Sequence, residues 1–371
     1  MKAREVPPDA GLYVHVPFCR TKCAYCGFCS QTDLSPIDAY AESLAVEARL
    51  RAGQTFTTLY VGGGTPTVLP PELLARLLRG PDTPWPLTKD AEVTVEANPD
   101  DITTPLLETL RKNGANRLSI GVQSFRDDEL RFLGRRHTAS QARAAIHLAK
   151  DAGFTNIGID LMYGFRGQRR ERWRTTLDEA LRWRPAHLSC YQLTIEPNTP
   201  LSRRPPSLIR SPEAKEYDFF LFTSRLLTDH GYEHYEVSNF ALPGFRARHN
   251  ALYWHHAPYC GLGPAAHSFD GRTRSWNVRS VEEYVARLSR NAVPMEESET
   301  LTDEQLALER VMLGMRTARG VPLSALTRYA GWEVTLERLQ AGGFLVCGQD
   351  RVTVTLAGLA IADRLPLEFL P

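Results

Sequence analysis

From residue 12 to about 230 the chain repeats one unit six times: a short β-branched run, then a longer stretch with helical apolar spacing. The runs predict strands at 12–16, 58–61, 92–97, 117–122, 156–161 and 188–193. The stretches between and after them predict helices at 37–52, 71–79, 105–113, 140–152, 170–183 and 213–230. Gly53, Gly114, Gly153 and Gly231 stand just past four of these helices, where a left-handed residue ends a helix. Such a repeat leaves little choice of architecture. Consecutive strands run parallel, the crossovers are right-handed, and the helices cover the sheet. Six units give an α/β fold, an open or partial (β/α)6 barrel. In such a sheet the chemistry gathers at the carboxyl ends of the strands.

The last third is organised differently. Residues 231–300 are rich in aromatics and His, are broken by Gly and Pro, and show little periodicity. They read as a linking region that faces a substrate. Helical patterns follow at 301–317, 323–330 and 335–341, then a hairpin at 344–347 and 351–355. That order predicts a winged-helix-like α+β domain, so the expected division is 1–230, 231–300 and 301–371. Winged helices often bind DNA, but 44 basic against 43 acidic residues supply no basic excess. No nucleic acid is expected, and the module reads as one for packing or for a protein partner. There is no run of 18 apolar residues and no apolar core near the N-terminus, which points to a cytoplasmic chain.

Of seven cysteines, Cys19, Cys23, Cys26 and Cys29 fall within eleven residues, while Cys190, Cys260 and Cys347 are isolated. In a reducing compartment clustered thiols bind metal or do redox chemistry more often than they pair. The isolated three read as small core residues. The loop Cys19-Arg-Thr-Lys-Cys23-Ala-Tyr25-Cys26 follows the first strand directly. It therefore lies at the carboxyl end of the sheet. Its spacing lets thiolates of one tight loop converge on an iron–sulfur cluster. Structural zinc is the alternative, but it favours paired CxxC or distant Cys/His sets, and no second pair is present. Three cysteines on a four-iron cube leave one iron open.

A CxxxCxxC loop after the first strand resembles the radical S-adenosylmethionine (SAM) superfamily. The resemblance implies a [4Fe–4S] cluster on Cys19, Cys23 and Cys26, with SAM chelating the open iron. It also implies an electron donor and cleavage of the sulfonium to a 5′-deoxyadenosyl radical.

Further motifs sit where such a cofactor would be held. Gly62-Gly63-Gly64-Thr65-Pro66 ends the second strand; glycines let a backbone approach a ligand, although a tight βα turn uses them too. Glu96, Gln123 and Asp160 end strands three, four and five. A polar residue ending an apolar strand costs desolvation unless it bonds a loop or a ligand, and three at one edge favour a shared ligand. A carboxylate suits ribose hydroxyls and an Arg suits the methionine carboxylate; Arg135 is the candidate and Arg136 its rival.

The segments YVHVPFC, GGGTPT, EANP, GVQSF, GRRH, DLMYG and YEVSNFALPGF resemble one branch over nearly the whole chain. It holds the oxygen-independent coproporphyrinogen III oxidases and the HemW heme chaperones. The resemblance implies SAM contacts from Tyr13, Tyr25, Gly63, Gly64, Thr65, Glu96, Gln123, Arg135, Asp160 and Thr194. It assigns no catalytic residue.

Three features divide the branch. The oxidases carry a longer extension before the cysteine loop, whereas 18 residues precede Cys19 here. They read CxxxCxxCxC, whereas Phe28 holds that last position and Cys29 follows it. Finally, His249-Asn-Ala-Leu-Tyr253-Trp254 resembles the HNxxYW segment of the chaperones, whose histidine is implicated in heme binding. Imidazole is a common axial ligand and aromatic faces suit a macrocycle, but a bonded core histidine would read the same way. His255, His256 and His267 lie close by in sequence. The expectation is a HemW-like protein that binds heme as cargo and delivers it to heme-requiring proteins, with peripheral contact to membrane enzymes among them. Oxidative decarboxylation of coproporphyrinogen III is the alternative, and a radical reaction on another substrate is a third.

Overall fold

The computed structural model describes residues 10–51, 53–79 and 85–370. The N-terminal segment 1–9 and the expected helix end at residue 52 lie outside the described residues. Six parallel strands form in the expected places: β1 (Gly11–Val16), β2 (Phe56–Gly63), β3 (Leu87–Ala97), β4 (Arg117–Gln123), β5 (Asn156–Tyr163) and β6 (His187–Gln192). They pair in chain order. Helices Ile37–Leu50, Pro71–Arg79, Thr104–Lys112, Ala139–Asp151 and Arg170–Arg182 join them, and Glu213–Asp229 follows β6. The four expected capping glycines have φ from +81° to +115°. An additional short helix, Asp127–Leu133, follows β4.

The strands alternate in character. Leu12, Val14 and Val16, Val93 and Val95, Leu118 and Ile120, and Ile157 and Ile159 are almost fully buried in one core with the helices. Between them stand Tyr13, Tyr60, Thr94, Glu96, Arg117, Ser119 and Asp160. The register places Tyr60 beside Thr94, Thr94 beside Arg117, and Asp160 beside Ser189. Most parallel sheets are apolar on both faces. Here the inner face is polar, as a lumen that holds polar partners requires.

The segment 231–300 is not the irregular link that its sequence presents. Its strands continue the barrel sheet at both edges. β7 (Glu233–Glu236) and β8 (Asn239–Ala241) add antiparallel beside β6. At the other edge β9 (Tyr259–Leu262) runs parallel to β1, followed by β10 (His267–Phe269), β11 (Thr273–Asn277) and β12 (Met295–Thr300). The result is one sheet in the order β12-β11-β10-β9-β1-β2-β3-β4-β5-β6-β8-β7. Strands of three to six residues are too short to show a clear period, which is why the sequence hides them.

Between β8 and β9, helix Arg248–Trp254 closes the amino-terminal end of the lumen. The backbone N–H of His249 donates to Glu92 Oε1 at 3.0 Å, and that of Arg248 to Glu92 Oε2 at 3.1 Å. This carboxylate takes the place of an N-cap side chain, which Ala247 does not provide.

The C-terminal unit has the expected winged-helix-like order. Helix Asp303–Gly314 leads to β13 (Val321–Pro322), helices Leu323–Leu326 and Trp332–Ala341, then β14 (Leu345–Cys347) and β15 (Arg351–Val354). Its sheet runs β13-β15-β14, over a separate core that includes Val311, Met315, Leu326, Leu336 and Leu345. It joins the barrel through backbone bonds from Val237 N to Arg316 O and from Ala318 N to Tyr235 O, both at 3.0 Å.

Candidate cofactor site at the carboxyl end of the sheet

The cysteine loop leaves the end of β1 and is held on several sides. Cys19 N donates to Gln31 O at 2.9 Å and Gln31 N to Pro17 O at 2.8 Å, which closes the loop at its base. His15 Nε2 bonds Cys29 O at 2.7 Å. Ala24 N donates to Leu133 O and Leu201 N to Ala24 O, so neighbouring loops grip the middle. Tyr25 packs on a small apolar cluster with Leu133, Met162, Phe165 and Leu193. Cys19, Cys23 and Cys26 are half-buried, while Phe28 at the tip is 66% exposed.

A chain of hydrogen bonds joins the first two of these cysteines through three separate motifs. Thr65 Oγ1 lies 3.4 Å from Cys19 Sγ and accepts from Asn98 Nδ2 at 3.1 Å. Asn98 Oδ1 accepts from Arg135 Nη2 at 2.5 Å, and Arg135 Nη1 donates to Cys23 Sγ at 3.4 Å. Arg135 also donates to Gly121 O at 2.8 Å, while its buried Nε has no protein partner among the described residues. Of the two rival arginines, Arg135 faces the cysteines. Arg136 pairs with Asp100 at 2.8 Å.

The glycine run does two jobs. Gly64 N donates to Val16 O at 2.7 Å and Thr65 N to Phe18 O at 2.8 Å, pressing the end of β2 onto the cysteine loop. A Cβ on Gly64 would stand 2.5 Å from Phe18 O, and one on Gly63, at φ +108°, would meet the His15 ring at 2.6 Å. Close packing is therefore one reason for these glycines.

Glu96 bonds both neighbours of that turn. Its Oε1 accepts from Tyr60 OH at 2.6 Å and its Oε2 from Gly63 N at 3.2 Å. Burial pushes its pKa up to about 7, with the nearby Asp160 adding to the rise. Asp160 is raised too, first by burial, although Ser119 Oγ donates to it at 3.1 Å. Burial also raises the thiols of Cys19 and Cys26, and the Cys23 thiol adds to both shifts. Burial works against the charge of Arg135, but Tyr25 and Cys23 outweigh it and raise its pKa.

The remaining expected residues are placed as follows. Gln123 has φ +64°, and its amide sits beside Gly121, next to Arg135. Thr194 is exposed on the rim and donates to Glu196 Oε1 at 3.0 Å. Tyr13 points down the lumen, with its OH 2.9 Å from His15 Nδ1. The sequence reading missed Asn98 and Arg117. Asn98 lies within the EANP segment, two residues past the glutamate that drew notice. Arg117 opens β4 and is nearly fully buried, with its Nη1 reaching Thr94 Oγ1 at 3.5 Å.

His249 lies at the opposite end of the lumen from the cysteines. It is 1% exposed and both ring nitrogens are bonded, Nδ1 with Thr58 Oγ1 at 2.7 Å and Nε2 with Tyr253 OH at 2.8 Å. Its ring stacks on Tyr60 at 5.2 Å. Burial lowers its pKa to about 3. In this arrangement it is a bonded core histidine, and ligation of an iron would first require breaking one of its two bonds. His267 is exposed beside Trp276, and His256 bonds Glu309 at 3.0 Å.

The donor set fits an iron–sulfur cluster. Three half-buried thiols lie close enough to interact through their charges, with an arginine and a hydroxyl turned towards two of them. Among the described residues no three His, Cys, Asp or Glu side chains converge on a single ion-sized point, as a preformed mononuclear zinc site would require.

The family described as the radical SAM superfamily matches residues 13–180. The heme chaperone HemW of Mycobacterium tuberculosis (strain ATCC 25618 / H37Rv) is 36% identical over 370 residues, spanning 96% of this chain and 93% of that protein. The chain belongs to the HemW family of the radical SAM superfamily. HemW of Escherichia coli (strain K12) is 39% identical over 70% of each chain. Among solved structures, the coproporphyrinogen III oxidase HemN from Escherichia coli, described as a radical SAM enzyme, superposes with a TM-score of 0.83. It is 25% identical and covers 97% of this chain and 90% of its own. The fold is thus the radical SAM fold, and the HemW likeness extends beyond residue 180 through helix Arg248–Trp254, the plug helix of the barrel floor, and the C-terminal unit.

Proposed function

We propose that this protein is a HemW-like heme chaperone of the radical SAM type, binding heme and handing it to heme-requiring proteins. The observation that carries this reading is the likeness to HemW along 96% of the chain. Phe28 at the position of the oxidases' additional cysteine supports it.

In this reading Cys19, Cys23 and Cys26 hold a [4Fe–4S] cluster, and SAM lies on Gly63, Gly64 and Thr65. When bound, the pair supplies one-electron chemistry at the sulfonium. Arg135, whose Nε is unpartnered, faces the methionine carboxylate. Glu96 and Asp160 accept from hydroxyls or an ammonium, and Tyr13, Tyr25, Gln123 and Thr194 border the cofactor. Thr65, Asn98 and Arg135 link the first two cysteines through one chain of hydrogen bonds and so position them in the loop. The C-terminal unit serves protein partners: an electron donor and heme recipients. Among the described residues no helix is long and apolar enough to cross a membrane.

The second reading is oxidative decarboxylation of coproporphyrinogen III, favoured by the superposition on HemN. One anaerobic experiment separates them. The protein with reconstituted cluster is given coproporphyrinogen III, SAM and reductant, and a parallel sample is titrated with hemin. Saturable hemin binding without protoporphyrinogen supports the chaperone. Protoporphyrinogen formation overturns it.

A further inference from the structure

A belt of polar side chains runs along the inner face of the sheet at nearly one level. Register sets Glu96 on β3 beside Ser119 on β4, and Asp160 on β5 beside Ser189 on β6. It continues from Ser189 to Asn239 on β8, and from Asn239 to Glu236 on β7. Ser119 Oγ donates to Asp160 Oδ2 at 3.1 Å and so joins the two halves. The register shift between His234 and Glu236 lets His234 stack outward on Phe240 while Tyr235 and Glu236 face inward. The Tyr235 hydroxyl accordingly lies 2.7 Å from His187 Nε2. At the mouth, Tyr191 stands two residues past Ser189 on the same face and is 39% exposed.

The β7 end of this belt is out of balance. Glu236 is 1% exposed, and neither of its carboxylate oxygens makes a hydrogen bond among the described residues. Burial pushes its pKa up to about 7, against the opposing pull of the nearby Asn239 amide and the backbone N–H groups of residues 238 and 239. Asn239 Oδ1 is buried and unbonded as well. Two paired residues therefore present three acceptor atoms without a donor, whereas buried acceptors are normally met. The belt contains three carboxylates and no Arg or Lys, and Arg117, one layer below, turns to Thr94. No three His, Cys, Asp or Glu among the described residues are placed to hold a metal ion.

We infer that Glu236 and Asn239 anchor a second luminal site, one for the ammonium group of a small aliphatic amine. The three N–H donors of an ammonium answer the three acceptors, and the ionised carboxylate balances its charge. Adjacent strands lie about 4.8 Å apart, so Glu236 is three spacings, about 14 Å, from Asp160. An amine anchored at Glu236 lays its carbon chain along the wall towards Asp160, and hence towards SAM. That nearness rests on the SAM reading given above; the anchor itself needs only the fold and is independent of heme.

The test is calorimetry on the full chain with its cluster reconstituted and SAM saturating, so that a probe cannot report the cofactor's own site. n-Hexylammonium and its uncharged analogue n-hexanol are titrated at pH 6 in two buffers of different ionisation enthalpy. Wild type binds the ammonium at least about tenfold more tightly than the alcohol. The Glu236 carboxyl is largely protonated at pH 6 and the ammonium needs it ionised, so binding releases a proton to the buffer. Glu236→Gln, which keeps the shape of the protonated acid, removes both the preference and the proton release, with cluster iron and SAM affinity unchanged. Glu233→Gln, in the ion pair with Arg246 at the start of the same strand, alters neither. Equal binding of the two probes by wild type, binding without proton release, or a preference that survives Glu236→Gln would each overturn the site. SAM affinity is read in the same samples, so a failure of the cofactor reading is told apart from a failure of the anchor.

Discussion

Arg135 Nη1 donates to Cys23 Sγ across 3.4 Å, so the guanidinium behind β4 is bonded directly to a thiol of the cysteine loop. With Thr65 at Cys19 it bonds two of the three candidate cluster ligands. Removing a charged donor from such a half-buried site costs about 1.5–3 kcal/mol, or tenfold to a hundredfold in binding. Arg135→Ala should weaken SAM binding by about that factor. Arg135→Lys should restore little, because a point charge cannot serve Asn98, Gly121 and the thiol together. Calorimetry with SAM on reconstituted protein measures this; an unchanged affinity would remove Arg135 from the cofactor site.

Single Cys19→Ala, Cys23→Ala and Cys26→Ala variants should each lose the brown cluster absorbance and most of the bound iron. Cys29→Ala should keep both, since its Sγ is directed to Arg279 O at 3.4 Å. Iron and sulfide analysis after anaerobic reconstitution decides the matter. Loss of the cluster in Cys29→Ala would make that thiol a ligand.

Gly64→Ala brings a methyl to within 2.5 Å of Phe18 O and 2.8 Å of Val16 O, both backbone atoms that cannot swing away. The end of β2 must then part from the cysteine loop. The expected result is a folded protein, by circular dichroism, that assembles less than about half the wild-type cluster. Full cluster content would show that the contact between β2 and the loop is dispensable.

Glu96 carries a pH signature. Its folded pKa, about 7, lies above the ordinary carboxylate range, so the folded state binds the proton more tightly than the unfolded one. Its favourable contribution is fully present below about pH 4.5 and is lost as pH rises through 7, on the order of 3 kcal/mol in all. Urea unfolding of wild type and Glu96→Gln at several pH values should show the two diverging over that window, with the variant gaining relative stability. Parallel pH profiles would contradict the assigned burial.

His249→Ala should destabilise the apo protein by about 2–4 kcal/mol, because it leaves Thr58 and Tyr253 without a partner and opens a cavity under Tyr60. Its hemin spectrum should match that of wild type. Loss of the heme band with unchanged stability would instead make His249 a ligand.

The six-unit core was legible because each strand carries a β-branched run and each helix an amphipathic one, so neither depends on distant partners. The cysteine loop was legible from spacing alone, and Arg135, preferred to Arg136 in the sequence, is the one of the two that bonds Cys23. Asn98 was not: its importance comes from bonding Thr65 and Arg135, residues 33 and 37 positions away. The edge strands β7 to β12 were hidden by their brevity. The HNALYW segment stayed open between two readings for a physical reason, since an imidazole stacked among aromatics looks the same in sequence whether it faces iron or, as in this fold, bonds Thr58 and Tyr253.

The plug helix has a consequence for biosynthesis. Its His249 bonds Thr58 and Glu92, 191 and 157 residues earlier, and β9 beside it completes the open side of β1. A chain emerging N-terminus first lays down all six parallel strands while the barrel floor still lacks its stopper and β1 still has a bare edge. Such long-range closure comes late and slowly. The nascent barrel is therefore accessible from below until about residue 262 has left the ribosome.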